Sequence, residues 1–178
     1  MSALPFPFRV GDKVVYPNHG VGIIEQISSR VLGSDAQQFY MLKIQASNLR
    51  VMVPFCNVGS VGMRHIAPMD DVNRTLDFLE VGICVPHNDW KGRFKENSEK
   101  MRTGSMLQVA EVLKSLLQVN QEKPLSFREK KMLDRALALL VSEIGTAKKL
   151  DSAVAMELLQ TTLTKAQLPL PALDPSDA

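Results

Sequence analysis

The stretch Asp12-Lys13-Val14-Val15-Tyr16-Pro17-Asn18-His19-Gly20-Val21-Gly22-Ile23-Ile24-Glu25-Gln26-Ile27 reads as two short strands and the turn that joins them. Asp12 to Tyr16 is the first strand. Pro17-Asn18-His19-Gly20 supplies turn chemistry, because Pro fixes φ while Asn and Gly tolerate positive φ. Val21 to Ile27 is the second strand. Downstream, Gly33-Ser34-Asp35 marks another turn, and Phe39 to Ile44 forms a third strand with Tyr40, Leu42 and Ile44 alternating onto one face. Ser47-Asn48 turns the chain again before a fourth strand, Leu49 to Val53, and a last short strand is expected near Val58 or Val61. Four or five short antiparallel strands in roughly sixty residues predict a small β-barrel of the SH3 or Tudor kind.

The fourth strand has two distinct faces. Period two places Leu49, Val51 and Val53 on the core side and Arg50, Met52 and Pro54 on the other. Pro54 has no N–H to give a ladder, so it marks a strand end or a sheet edge. A Met exposed beside an Arg fits a protein-contact surface as well as an incidental solvated face.

Near residue 70 the pattern changes to a helical period that runs to about residue 166. Asp70 or Asp71 is placed to cap a helix carrying Val72, Leu76 and Leu79, and Asn88 or Asp89 to cap the next, with Trp90 in its first turn. Ser105-Met-Leu-Gln108 and Ser126-Phe-Arg-Glu129 are capping-box sequences. The first opens a helix with Val109, Val112, Leu113, Leu116 and Leu117 inward, the second one with Leu133, Leu137, Leu140 and Ile144 inward. Asp151 precedes a last helix with Val154, Leu158 and Leu163. Strands followed by helices predict an α+β chain of two modules, residues 1–70 and 71–166, with a disordered tail over 167–178.

Composition narrows the class without naming a partner. The 178 residues are 45% apolar and carry a net charge of only +2, so any nucleic-acid site must come from local clustering. Cys56 and Cys84 form no CxxC pair and have no His at ligand spacing, so neither a structural zinc nor any other cofactor is expected. No apolar run reaches membrane-span length, and a monomeric, cytoplasmic protein is expected. Catalysis finds little support: His19, His65 and His87 lie in separate segments, and no Ser or Cys sits in a nucleophile motif. His19-Gly20-Val21-Gly22 lacks the Lys-Ser/Thr ending of a phosphate loop and joins two strands.

Charge does cluster around Asn88-Asp89-Trp90-Lys91-Gly92-Arg93-Phe94-Lys95, which holds the chain's one tryptophan. At 100° per residue, Trp90, Phe94, Asn97 and Met101 form one stripe, while Lys91, Lys95 and Arg102 form a second and Arg93 and Lys100 lie roughly opposite it. From Asn88 to Arg135 there are eleven Lys/Arg against seven Asp/Glu, and Arg128, Lys130 and Lys131 gather at the start of the long helix. Helix starts favour acids, so cations there hint at an external anion. Trp90 admits two readings: a residue packing the top of the core stripe, or an exposed ring that wedges against a base step while cations hold phosphates.

Three segments carry a resemblance: Phe8 to Gly20, Trp90 to Lys95, and Leu125 to Leu133. They are similar to the bacterial CarD/CdnL transcription regulators, over about Phe8 to Ala166. The first is shared with the polymerase-binding module of transcription-repair coupling factors; the Trp-containing half is not. The resemblance implies a Tudor-like domain that binds the RNA polymerase β subunit. It also implies a helical domain that contacts promoter DNA at the upstream edge of the bubble, largely without reading sequence, and stabilises the open complex. Carried over by position, Arg30, Met52 and Pro54, with Arg50 on the same strand face, would contact polymerase. Trp90 would be the minor-groove wedge, with Lys91, Arg93, Lys95 and Lys130 toward phosphates. Two departures stand out: Met52 where some members have Arg, and Gly92-Arg93 where many have two consecutive Arg. A protein-only adaptor that docks on polymerase or a repair factor without touching DNA is the alternative.

Overall fold

The computed structural model describes residues 7–172. The chain divides into two compact units, one ending at Ile66 and the other beginning at Ala67.

The first unit is a five-stranded antiparallel sheet of β1 (Lys13–Tyr16), β2 (Gly20–Leu32), β3 (Asp35–Ile44), β4 (Arg50–Pro54) and β5 (Arg64–His65), in the order β4-β3-β2-β1-β5. The β1–β2 turn forms as its residues dictate, with Asn18 at φ 65° and Gly20 at φ 92°. The expected barrel does not close: β4 and β5 are the two edges of an open sheet. The chain between them is taken up by a 3-10 turn (Phe55–Asn57) and the short helix α1 (Val58–Val61), where the sequence suggested a last strand. β5 pairs two residues with β1 and none with β4 among the described residues.

The core lies on one face of this sheet. Val14, Ile24, Tyr40, Leu42 and Val53 are buried there together with Phe8 and Met63. Tyr40 stacks on Phe55 at 4.1 Å between centroids and meets the edge of Phe8 at 5.7 Å. Leu49, expected in the core, is exposed, because β4 begins one residue later. The β2–β3 hairpin is longer than expected. Its ladder continues to Leu32↔Asp35 around Gly33 at φ 70°, which places Arg30 within a strand. Ser29, Arg30 and Val31 on one strand and Asp35 to Gln38 on the other are all exposed, so no apolar alternation announces the ribbon.

The second unit is helical: α2 (Met69–Val81), α3 (Trp90–Thr103), α4 (Met106–Glu122), α5 (Phe127–Lys148) and α6 (Ser152–Lys165). α4 is central and packs against α2, α3 and α5. It buries Val109, Val112, Leu113, Leu116 and Leu117 as its periodicity predicts. Leu133, Leu140 and Ile144 of α5 complete the core with Val72 and Leu79 of α2. The Ser126 capping box forms in full: the hydroxyl accepts from Glu129 N–H, and the Glu129 carboxylate accepts from Ser126 N–H.

Three expectations shift in this unit. α2 starts at Met69 after Pro68, so Asp70 and Asp71 lie inside its first turn rather than capping it. α6 turns Ala155, Leu159 and Leu163 inward and leaves Val154 exposed. Leu168, expected in the tail, is buried, and Leu170 packs against the same core. An apolar pair separated by one proline still finds the bundle after the last helix ends. The remainder of the expected tail, 173–178, lies outside the described residues.

Candidate functional site

In the first unit the strand register builds one surface from residues far apart in sequence. Directly opposed residues share a face. Lys43 lies opposite Arg50, Met41 opposite Met52, and Phe39 opposite Pro54. On the next strand Gln26 faces Met41, Ser28 faces Phe39, and Arg30 faces Gln37. Arg30, Arg50, Met52 and Pro54 therefore fall on the one face turned away from the core, with Arg30 out on the hairpin ribbon. Arg50 is not a free cation: its Nε donates to Glu25 Oε2 at 2.9 Å. Met41, half-buried beside Met52, makes the centre of this face a pair of thioethers. The periodicity of the third strand had already placed Met41 opposite its core residues, but only the register brings it to Met52. Among the described residues β4 pairs with β3 alone, so the backbone along its other side is an open edge there.

In the second unit the start of α3 is held by several contacts. Asp89 caps the helix, its carboxylate accepting from Gly92 N–H at 2.8 Å and Lys91 N–H at 3.3 Å. The Gly92 bond is the main reason its carboxyl is held below the usual range. The His87 ring lies directly on Gly92: a Cβ there would sit 2.7 Å from Cε1 and 2.8 Å from Nδ1. Gly92 thus replaces a side chain with room for an imidazole, and Asp89 N–H lies 3.3 Å from His87 Nδ1. Trp90, the first residue of the capped helix, is 47% exposed.

Arg93 requires a correction. Expected on DNA phosphates, it is only 2% exposed and paired with the buried carboxylate of Glu129. Its Nε donates to Glu129 Oε1 at 2.9 Å and its Nη1 to the His87 carbonyl at 2.9 Å. Burial works against ionisation of Glu129. Ser126 N–H and Arg93 outweigh it, so the carboxyl stays below its ordinary range. The inward stripe of α3 is Arg93, Asn97 and Met101. Trp90 overhangs its end. The guanidinium is consumed in joining the start of α3 to the start of α5.

The other cations remain outside. Lys91, Lys95, Arg128 and Lys130 are exposed and form no ion pair among the described residues. Lys100, by contrast, is neutralised by Glu96 at 2.9 Å and Glu111 at 3.0 Å. What survives is an exposed indole on a fixed helix end, with unpaired cations on two helices whose starts are joined by a buried ion pair.

Each of the two units matches a known protein family. Residues 8–67 match the CarD-like/TRCF RID domain, and residues 74–160 match the CarD C-terminal domain. YdeB of Bacillus subtilis (strain 168), named as a candidate transcription factor, is 36% identical over 141 residues, which is 79% of this chain and 92% of YdeB. The chain belongs to the CarD/CdnL family. A solved structure, "CdnLNt from Myxoccoccus xanthus", is 39% identical and covers 37% of this chain and 93% of its own, with a TM-score of 0.30. As a CarD/CdnL member the chain is a transcription regulator. Among the described residues no helix is long and apolar enough to cross a membrane.

Proposed function

We propose that this CarD/CdnL protein binds the RNA polymerase β subunit through its sheet and stabilises the promoter open complex through its helical unit. The RID match supports the first half, together with a surface suited to it: the open edge of β4 beside Met41, Met52 and Pro54. An edge strand offers main-chain donors and acceptors to a partner strand, and thioethers adapt to irregular apolar contacts. Trp90 supports the second half. It is the observation that carries the reading: a large ring kept outside the core on a rigid, capped helix end. Lys91, Lys95 and Lys130 hold phosphates without reading bases. Trp90 enters the minor groove at the upstream edge of the bubble, where base pairs are already parting and unstacking is cheaper than in intact duplex.

Binding the open state more tightly than the closed one shifts the equilibrium between them. A difference of about 1.4 kcal/mol changes that equilibrium constant roughly tenfold. The test is open-complex half-life on a promoter whose complex decays quickly. Trp90→Ala should shorten the half-life toward the value without protein while binding to a β-subunit fragment persists. An unchanged half-life would remove the wedge and leave a protein-only adaptor.

A further inference from the structure

The start of α5 repeats the design of the start of α3. Asp89-Trp90-Lys91 and Ser126-Phe127-Arg128 each place a capping side chain, an aromatic first residue and a cation in sequence. Phe127 is more exposed than Trp90, at 68%. Its environment is cationic: Lys131 Nζ sits 5.4 Å from the ring centroid, and Arg128 and Lys130 follow it in sequence. None of the three cations has a carboxylate partner among the described residues. The one acid in that turn, Glu129, is taken by Arg93 and Ser126. From its own fold this exposed phenyl ring gains little beyond the cation–π contact with Lys131. A polyanion with flat apolar faces satisfies both features at once.

We infer that Phe127 is a second nucleic-acid contact, stacking on an unpaired base of the melted strand while Lys130 and Lys131 hold the adjoining phosphates. The charge around the ring favours DNA over an apolar protein surface, since burying three cations in a protein interface leaves each needing an acceptor. Stacking plus cations is also the physics of single-strand platforms rather than of duplex readout. The inference rests on the proposed contact between the helical unit and promoter DNA. It adds a residue, and it adds a strand state. The buried Arg93–Glu129 pair ties the two helix starts together, so both aromatics are presented from one rigid support.

The experiment measures affinity of the full chain for a fork-junction DNA bearing a single-stranded tail and for the same duplex without it. Wild type is compared with Phe127→Ala, Phe127→Tyr and Trp90→Ala, with thermal melting to check the fold. Phe127→Ala should weaken fork binding about tenfold, the scale of one lost base stack. It should leave duplex binding and melting unchanged, and Phe127→Tyr should retain wild-type affinity. Equal fork affinity of Phe127→Ala and wild type overturns the inference, as does an equal loss on fork and duplex. Loss of binding to a β-subunit fragment instead would make the ring a protein contact and overturn it too. If Trp90→Ala weakens fork binding and Phe127→Ala does not, only this inference fails. If wild type shows no preference for the fork and Trp90→Ala changes nothing, the underlying DNA reading fails as well.

Discussion

Arg93 shows how one side chain changes role when the fold closes around it. On a helical projection it is one of several cations near a tryptophan. In the folded unit it is a buried strut whose partner lies 36 residues away. Breaking a buried pair by removing one partner strands the other charge, at about 3–5 kcal/mol. Arg93→Met should therefore lower thermal stability markedly, whereas Lys95→Ala should leave melting unchanged and weaken DNA binding; similar melting of the two variants would contradict this division of labour. The pair also sets an acid limit. Glu129 titrates below its unfolded value of 4.5. Its contribution is thus complete above that value and is lost as pH falls through the lower folded value. The melting difference between wild type and Glu129→Gln should shrink across that acid window, and a pH-independent difference would deny the carboxylate its role. The Asp89 cap, the Ser126 box and the cluster of cations are all readable from the sequence, because each depends on neighbours within a turn. The burial of Arg93 is not, since it depends on where a second helix arrives. The spacing of Arg93, Asn97 and Met101 was a signal, outweighed by the apolar stripe that starts at Trp90.

Elements show the same division between local and distant causes. The helices of the second unit are legible because an inward face with a 3.6-residue period is written along most of them: α4 buries the residues that period selects, while α5 buries Leu133, Leu140 and Ile144 and half-buries Leu137. The sheet is legible as strands and less so as a closed form. Nothing local determines whether β5 reaches β4, and the polar β2–β3 ribbon offers no inside and outside to read. Lys114 is an element-scale device that periodicity conceals altogether. It lies 4% exposed within the apolar face of α4, and its ammonium donates to the carbonyls of Phe78 and Leu79 at 2.9 Å each. Both are last-turn carbonyls of α2; the Phe78 oxygen also accepts from Gly82 N–H, whereas the Leu79 oxygen receives no such backbone bond. Lys114 thus caps α2 from another helix. Lys114→Met keeps the stem and orphans the Leu79 carbonyl, so it should destabilise by about 1–3 kcal/mol. Denaturant unfolding measures this, and a neutral result would show that water replaces the ammonium.

For the whole molecule, the two units have separable jobs under the proposed function, and the separation is measurable. A tether raises the local concentration of the DNA-binding face and leaves its intrinsic preference for the open state untouched. A wedge sets that preference and leaves the tether untouched. Titrating the full chain against open-complex half-life yields two parameters, the concentration for half effect and the plateau. Met52→Asp puts a carboxylate at the centre of the Met41–Met52 pair, where a polymerase surface would have to desolvate it. It should raise the half-effect concentration about tenfold or more and reach the wild-type plateau at saturation. Trp90→Ala should do the reverse, lowering the plateau at an almost unchanged half-effect concentration. Raising salt should act on the DNA-facing term, since the free cations Lys91, Lys95 and Lys130 work by releasing counterions from phosphates. The central pair of the sheet surface is two neutral thioethers, so the half-effect concentration should move less with salt than the plateau does. If Met52→Asp instead lowered the plateau, the sheet would act on the open state itself, and tether and wedge would be one coupled device.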